Sequence, residues 1–193
     1  MQRPLSGIRV IGMEQYMSAP YCTMLLADAG AEVIKIERPG RGDPRRSIPP
    51  FAVDEKGQRV AGGFIGYNRN KKSLTVNLRE EEGREVFTRL VKESDVVVEN
   101  LRPGAMDKME LGYKQLKGIN PRLIYAAISG FGRLESHTGP YAQRPAFDIV
   151  ADWPDRVEQW TPDVGPCVGV AFVPCETCSA LQKEFKFQRR AVG

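Results

Sequence analysis

Apolar positions recur along this chain with two periods, and the switches between them mark out the elements. Ile8-Arg9-Val10-Ile11 is a short β-prone run. Cys22, Leu25, Leu26 and Ala29 then fall at i, i+3, i+4 and i+7, which predicts one apolar face of a helix. Ser18, Ala19 and Pro20 supply its start, a hydroxyl cap followed by the residue whose missing N–H costs nothing there. Gly30 stands where a left-handed C-terminal cap is wanted. Val33-Ile34-Lys35-Ile36 reads as a second strand, ended by Pro39-Gly40. Strand, helix and strand within roughly thirty residues form a βαβ unit with parallel strands and a right-handed crossover.

The same alternation continues downstream. Residues 47–63 read as loop, ending in Gly62-Gly63, and 64–70 lead into Lys71-Lys72. Ser73-Leu74-Thr75-Val76-Asn77-Leu78 alternates as a strand. Glu80, Glu81 and Glu82 open a helix at the end its dipole favours for acids. Val86, Phe87, Leu90 and Val91 form its apolar face, and Lys92 sits in its last turn. Residues 95–100 are a near-continuous apolar strand, as expected when both sheet faces are covered. Arg102-Pro103-Gly104 turns into short helical material carrying Met106, Met109 and Leu111 as core. Leu123-Ile124-Tyr125-Ala126-Ala127-Ile128 is the next strand, closed by Ser129-Gly130-Phe131-Gly132. This order predicts an α/β fold, an open and mostly parallel sheet with helices on both faces. Ligands of such sheets collect outside the carboxyl ends of the strands, which places 15–18, Arg38, Arg79, 100–104 and 129–132 around one neutral-to-basic crevice.

Composition narrows the partners. The 193 residues suffice for a core burying roughly 70% of the unfolded surface, with no need of a metal or disulfide. A net charge of +4 suits a small polyanion better than a nucleic-acid duplex, though it also describes a plain, slightly basic surface. The start, MQRPLSG, lacks an apolar signal core, and no run approaches the ~18 apolar residues of a membrane span. Four cysteines without a signal peptide then predict a cytoplasmic protein. Cys175-Glu176-Thr177-Cys178 is a weak metal or redox signal without a neighbouring histidine, so no metal ligands are assigned. Residues 183–190 are a basic tail, suited to fraying more than to an anionic surface.

Several chemistries drop out. The dinucleotide fingerprint is absent after the first strand, where the chain reads Gly12-Met13-Glu14-Gln15-Tyr16-Met17, and Walker A is absent too. His137, the one histidine, lies in a Gly/Pro-flanked loop and assembles no triad. The stretch 38–46 holds Arg38, Arg41, Arg45 and Arg46. It reads either as a solvated loop or as a phosphate grip, each charge-assisted bond of the latter contributing about 1.5–3 kcal/mol.

The blocks PLSGIRV, APYCTMLLADAGAEVIKIERPGRGD, NRNKKSLTVNL, DVVVENLRPGAMDKMELGYKQLKGINPRLIYAAISGFG and GPYAQRPAFDIVA resemble the class III CoA-transferases, in order and at the usual spacing, over about residues 4–151. That resemblance implies a Rossmann-like large domain and an interlocked homodimer. It implies transfer of CoA from an acyl-CoA to a carboxylic acid through an acyl-aspartyl anhydride. CoA or acyl-CoA is then substrate, no cofactor is held permanently, and neither nucleic acid nor membrane is a partner. By the same resemblance Gln15, Tyr16 and Met17 line the pocket, and Arg38 packs on the adenine and meets phosphate. Val76 and Arg79 border the nucleotide, Asn100 and Leu101 touch the pantetheine arm, and Lys108 and Arg144 answer the phosphates.

Two departures shape the expected activity. Where the related 2-methylacyl-CoA racemases read glycine-histidine-aspartate, this chain has Ala146-Phe147-Asp148, so a two-base proton transfer lacks a partner and CoA transfer is preferred. Val168-Gly169-Val170-Ala171-Phe172-Val173 resembles the strand that precedes the family's nucleophile, but Pro174 stands where the aspartate belongs and Glu176 is two places off. No catalytic residue is therefore assigned. The expectation is an incomplete family core over 1–151 followed by a diverged or frame-shifted, poorly ordered tail over 152–193. A short paralogue with a diverged end is the alternative. Function is then either impaired CoA transfer or CoA binding without catalysis.

Overall fold

A computed structural model describes residues 3–131, 140, 142–144 and, as backbone, 169–173. A six-stranded sheet runs through it, built from β1 (Arg9–Met13), β2 (Glu32–Glu37), β5 (Lys71–Thr75), β6 (Val96–Glu99), β7 (Ile124–Ser129) and β8 (Gly169–Val173) in the order β5-β2-β1-β6-β7-β8. The first five are parallel, with Val10 opposite Val33 on one side and Ile11 opposite Val97 on the other. At the edge β8 runs antiparallel to β7, with Val173 opposite Tyr125. The open, mostly parallel sheet read from the alternation is what the chain forms. Strand order runs outward from β1 to β2 and β5, then returns to β6 on the other side of β1. That reversal is the topological switch point at which α/β sheets open a crevice.

Alternation along each buried strand splits the core in two. Ile11, Ile36, Val97 and Tyr125 face α3 (Glu81–Lys92) and α5 (Tyr113–Ile119), packing on Phe87, Val91 and Leu116. Val10, Val33, Val98 and Ala126 face α1 (Ser18–Asp28), packing on Ala19 and Ala27. Helices thus cover both faces. The acids Glu81 and Glu82 sit in the first turn of α3, and Arg89 and Lys92 in its last, as its dipole favours. α4 (Ala105–Lys108) is the short helical piece expected after Gly104, with Met106 in the core.

Helix α1 departs from expectation in two ways. Its buried residues are Ala19, Pro20, Thr23, Met24 and Ala27, while Leu25 is 49% exposed and Cys22 and Leu26 are only partly covered. Small residues win the inward face because they let the helix sit close on the strands. Ser18 is not the cap either. The N-cap is Met17, without a side-chain hydrogen bond, and the Ser18 hydroxyl instead accepts from Asn100. The C-terminus follows the sequence: Gly30 has φ +105, its N–H donates to Ala27, and the Ala31 N–H donates to Leu26, a Schellman closure.

The stretch 47–63, read as loop, contains a hairpin of β3 (Phe51–Val53) and β4 (Arg59–Ala61). Its turn is tied by Asp54 Oδ1, which accepts from the Lys56 and Gln58 N–H groups. Three-residue exposed strands carry no apolar period, so pattern alone misses them. Gly62-Gly63 does not end that loop but opens α2 (Gly62–Asn68), where a Cβ at Gly63 would collide with the Arg45 guanidinium. β5 also starts earlier than its alternation suggests, because Lys71 is turned into the protein with its side chain 2% exposed.

Candidate functional site

Residues at the switch point are built around one side chain. Asn100, just past β6, accepts the Gln15 N–H on Oδ1 at 2.8 Å. Its Nδ2 donates to the Gln15 carbonyl at 2.8 Å and to the Ser18 Oγ at 3.1 Å. Only a carboxamide offers an acceptor and donors side by side, so Asn100 closes the turn after β1 as a neighbouring strand would. The turn needs holding: Tyr16 sits at φ +62, a left-handed conformation that costs a bulky residue about 1–2 kcal/mol. Next to it Leu101 donates its N–H to Glu99 Oε2 at 2.7 Å, and Glu99 is fully buried.

The loop after β2 approaches the same turn from the other side. The Gly42 N–H donates to the Arg38 carbonyl at 3.0 Å, closing a tight turn. Gly42 has φ +62, and a Cβ there would lie 2.8 Å from Glu37 Oε1, so glycine is required. Asp43 follows, with its side chain fully buried. Its Oδ1 accepts from the Tyr16 N–H at 3.2 Å and the Arg45 N–H at 2.9 Å. Oδ2 lies 2.8 Å from Lys35 Nζ, off hydrogen-bonding angle, as an ion pair.

Behind this contact lies a cluster of buried charge. Lys35 Nζ donates to the Glu14 carbonyl at 3.2 Å and lies 3.4 Å from Glu14 Oε1. Lys71 Nζ donates to Glu14 Oε1 at 2.7 Å and to the Pro20 carbonyl at 2.8 Å, and the Thr23 hydroxyl donates to Glu14 Oε2 at 2.5 Å. Two lysines and two carboxylates balance, which a buried cluster requires. Glu37 is held beside it by Arg46 Nε at 2.8 Å, Arg46 Nη2 at 2.7 Å and Ser73 Oγ at 2.6 Å. Arg46 also stacks on Phe64, 3.7 Å from the ring centroid. A cavity of about 90 Å³ beside the cluster is lined by Lys35, Glu37, Arg46, Phe64 and Lys71.

Protonation follows from these contacts. Burial pushes the Glu37 carboxyl up, but the bonds from Arg46, Ser73 and the Asp43 amide, with the Arg46 charge, outweigh it and hold it at about 2. Burial draws the Lys71 ammonium below its ordinary value against the pull of Glu14. Burial, then the Glu14 charge, pushes the Cys22 thiol up, which keeps it protonated and a poor nucleophile.

The structure brings Gln15, Tyr16, Met17, Asn100 and Leu101 together, and the Asp43 contact links Arg38's loop to them. Val76 joins the neighbouring tip, its N–H donating to the Glu37 carbonyl at 3.0 Å. Arg38, Arg79 and Lys108 are exposed, and among the described residues their side chains have no hydrogen bond or ion pair. Arg144 is exposed at the end of the described stretch 142–144, and the residues that follow it lie outside the described residues. His137, 146–148, Pro174, Cys175, Glu176 and Cys178 also lie outside them. The larger depression, about 400 Å³, is lined by Arg84, Thr88 and Lys92 on α3 and by Glu110, and includes none of Gln15, Tyr16, Met17, Arg38 or Asn100. Among the described residues no cluster could hold a metal, and no helix is long and apolar enough to cross a membrane.

Of the arginines in 38–46, Arg46 is taken by Glu37, whereas among the described residues the side chains of Arg38, Arg41 and Arg45 have no hydrogen bond or ion pair, Arg45 lying against Gly63. Sequence reasoning missed Glu14, Lys35, Asp43 and Lys71. The available signal was Lys35 itself, a cation inside an otherwise apolar parallel strand.

A family model described as CoA-transferase family III matches residues 5–154. Succinyl-CoA:mesaconate CoA-transferase of Haloarcula marismortui is 44% identical over 175 residues, which cover 87% of this chain and 44% of that protein. Acetyl-CoA:oxalate CoA-transferase of Acetobacter aceti is 39% identical over 191 residues, covering 92% of this chain and 46% of that one. The crystal structure of a CAIB/BAIF family protein from Brucella suis superposes with a TM-score of 0.73 at 44% identity, covering 86% of this chain and 43% of that chain. The chain therefore spans less than half the length of these relatives.

Proposed function

The chain belongs to CoA-transferase family III, and on that premise we propose that its sheet tips hold the nucleotide handle of an acyl-CoA, the donor in CoA transfer to a carboxylic acid. The observation that carries the reading is that Arg38, Arg79 and Lys108, in the segments that follow β2, β5 and β6, are exposed and without a side-chain partner among the described residues, beside a switch point whose turn Asn100 clamps. CoA presents phosphates and a flat adenine. Arg38 can fork onto the first and stack on the second, which a lysine cannot do. Asn100 has both amide hydrogens engaged, so its side chain orients 15–17 while backbone around Asn100 and Leu101 meets the pantetheine arm.

The reaction class would run through attack of a carboxylate on the thioester, giving an acyl-enzyme anhydride and free CoA. The carboxylates near these tips do not suit that role. Glu14 and Asp43 are buried against lysines, and Glu37 is locked by Arg46. With Pro174 in the place the family gives its aspartate, we read the chain as a CoA binder with little or no transferase turnover of its own. Equilibrium dialysis should show saturable CoA binding that weakens with salt, and acyl-CoA donors incubated with oxalate or succinate should give little product. Failure to bind CoA overturns the reading. Brisk turnover overturns its second half.

A further inference from the structure

We infer that Asp43 is a positioning residue for the nucleotide site, a latch that sets the Arg38 loop against the turn 15–17. The inference rests on the CoA-binding reading above. The turn after β1 and strand β2 meet at this one residue. Oδ1 takes the Tyr16 N–H at 3.2 Å, from the turn after β1. Oδ2 takes the Lys35 charge at 2.8 Å, from within β2. The Asp43 N–H donates to Glu37 Oε1 at 2.9 Å, fixing the residue to the end of β2.

Chain geometry makes the latch consequential. Arg38 opens a tight turn that the Gly42 N–H closes on the Arg38 carbonyl at 3.0 Å, and Asp43 follows it directly. A shift of Asp43 is therefore passed to the Arg38 backbone through a few peptide units. The same shift frees the Tyr16 N–H, and Tyr16 holds a backbone conformation, φ +62, that its surroundings must impose. Asn100 anchors Gln15 from the β6 side, and Asp43 anchors Tyr16 from the β2 side. A ligand that spans both tips is met by groups whose spacing this carboxylate sets.

Its two oxygens carry separable tasks. One is a backbone acceptor, which asparagine can supply, and the other is a counter-charge for Lys35, which asparagine cannot. Changing Asp43 alone would leave Lys35 less compensated and confuse positioning with folding. Two charge-balanced double variants avoid this. Lys35→Met with Asp43→Asn keeps the acceptor for Tyr16, and Lys35→Met with Asp43→Ala removes it.

The test measures CoA affinity and thermal midpoint for the wild type and both doubles, together with the exchange rate of the Tyr16 amide in the ligand-free wild type. The asparagine double should bind within about threefold of the wild type, and the alanine double at least about tenfold more weakly at a similar midpoint. The Tyr16 amide should exchange more slowly than the exposed amides of the β3–β4 turn. Equal affinity of the two doubles, or a Tyr16 amide exchanging as fast as that turn, overturns the latch while leaving CoA binding intact. Absence of binding by the wild type overturns the functional reading and the latch with it.

Discussion

The two faces of the sheet are stabilised by different means, and the difference separates what holds the fold from what shapes the site. Toward α3 and α5 the contacts are mainly apolar, with Phe87, Val91, Val97 and Leu116 all fully buried and one buried polar contact, the Tyr125 hydroxyl on Glu99. Toward α1 and α2 the apolar layer of Val10, Val33 and Val98 gives way to the buried charges Glu14, Lys35, Asp43 and Lys71. Apolar packing is non-directional and tolerates small shifts. Paired charges and backbone hydrogen bonds fix distances, and here they fix the turn beside Asn100 to the loop of Arg38.

The largest test of that contrast removes the ring from the apolar face. Phe87→Ala should destabilise by about 3–5 kcal/mol, measured by denaturant unfolding, and leave CoA affinity of the remaining folded protein within about twofold. Lys35→Met should destabilise by about 3 kcal/mol, because it leaves buried carboxylates short of a cation, and it should also weaken CoA binding. If Phe87→Ala changes affinity and Lys35→Met does not, the division of labour is the wrong way round.

A smaller effect is expected on acidification. Glu37 is held at about 2 against an ordinary 4.5, so its stabilisation is complete above the ordinary value and is lost as pH falls through the lower one. With Arg46 itself 42% exposed, about 2 kcal/mol is a fair size after allowing for solvent screening. Unfolding curves between pH 5 and pH 2 should show the wild type losing that much more than Glu37→Gln, which lacks the contribution throughout. Parallel curves would mean that the Glu37 pair contributes nothing.

How far the sequence could be read follows the same division. Strands β1, β2, β6 and β7 and helix α3 are carried by apolar periods, and their expected positions match the structure closely. Gly30 is legible because it sits at a helix end whose chemistry is local, whereas Asn100 is named through the family resemblance and its bonds to Gln15 cross 85 residues of chain. The buried charges are not legible, since Glu14 meets Lys71 across 57 residues of chain and no spacing announces it. Lys71 reads as surface in isolation and becomes interior only when β5 docks beside β2. The inward face of α1 was misread because leucines outweigh alanines by hydrophobicity, whereas close approach to the sheet selects Ala19, Thr23 and Ala27. Residues 38–46 read in sequence as one basic group, yet only partners elsewhere decide that Arg46 is engaged while Arg38 has no partner among the described residues.

The central claim is that an unpaired Arg38 at the tip of β2 grips the nucleotide end of CoA. Calorimetric titration of the wild type and of Arg38→Ala with CoA tests it most directly. The account predicts saturable binding by the wild type and a loss of about ten- to a hundredfold in the variant, the size of one or two charge-assisted contacts, with an unchanged melting midpoint. Equal affinity of the two proteins, or no heat of binding from either, would contradict it.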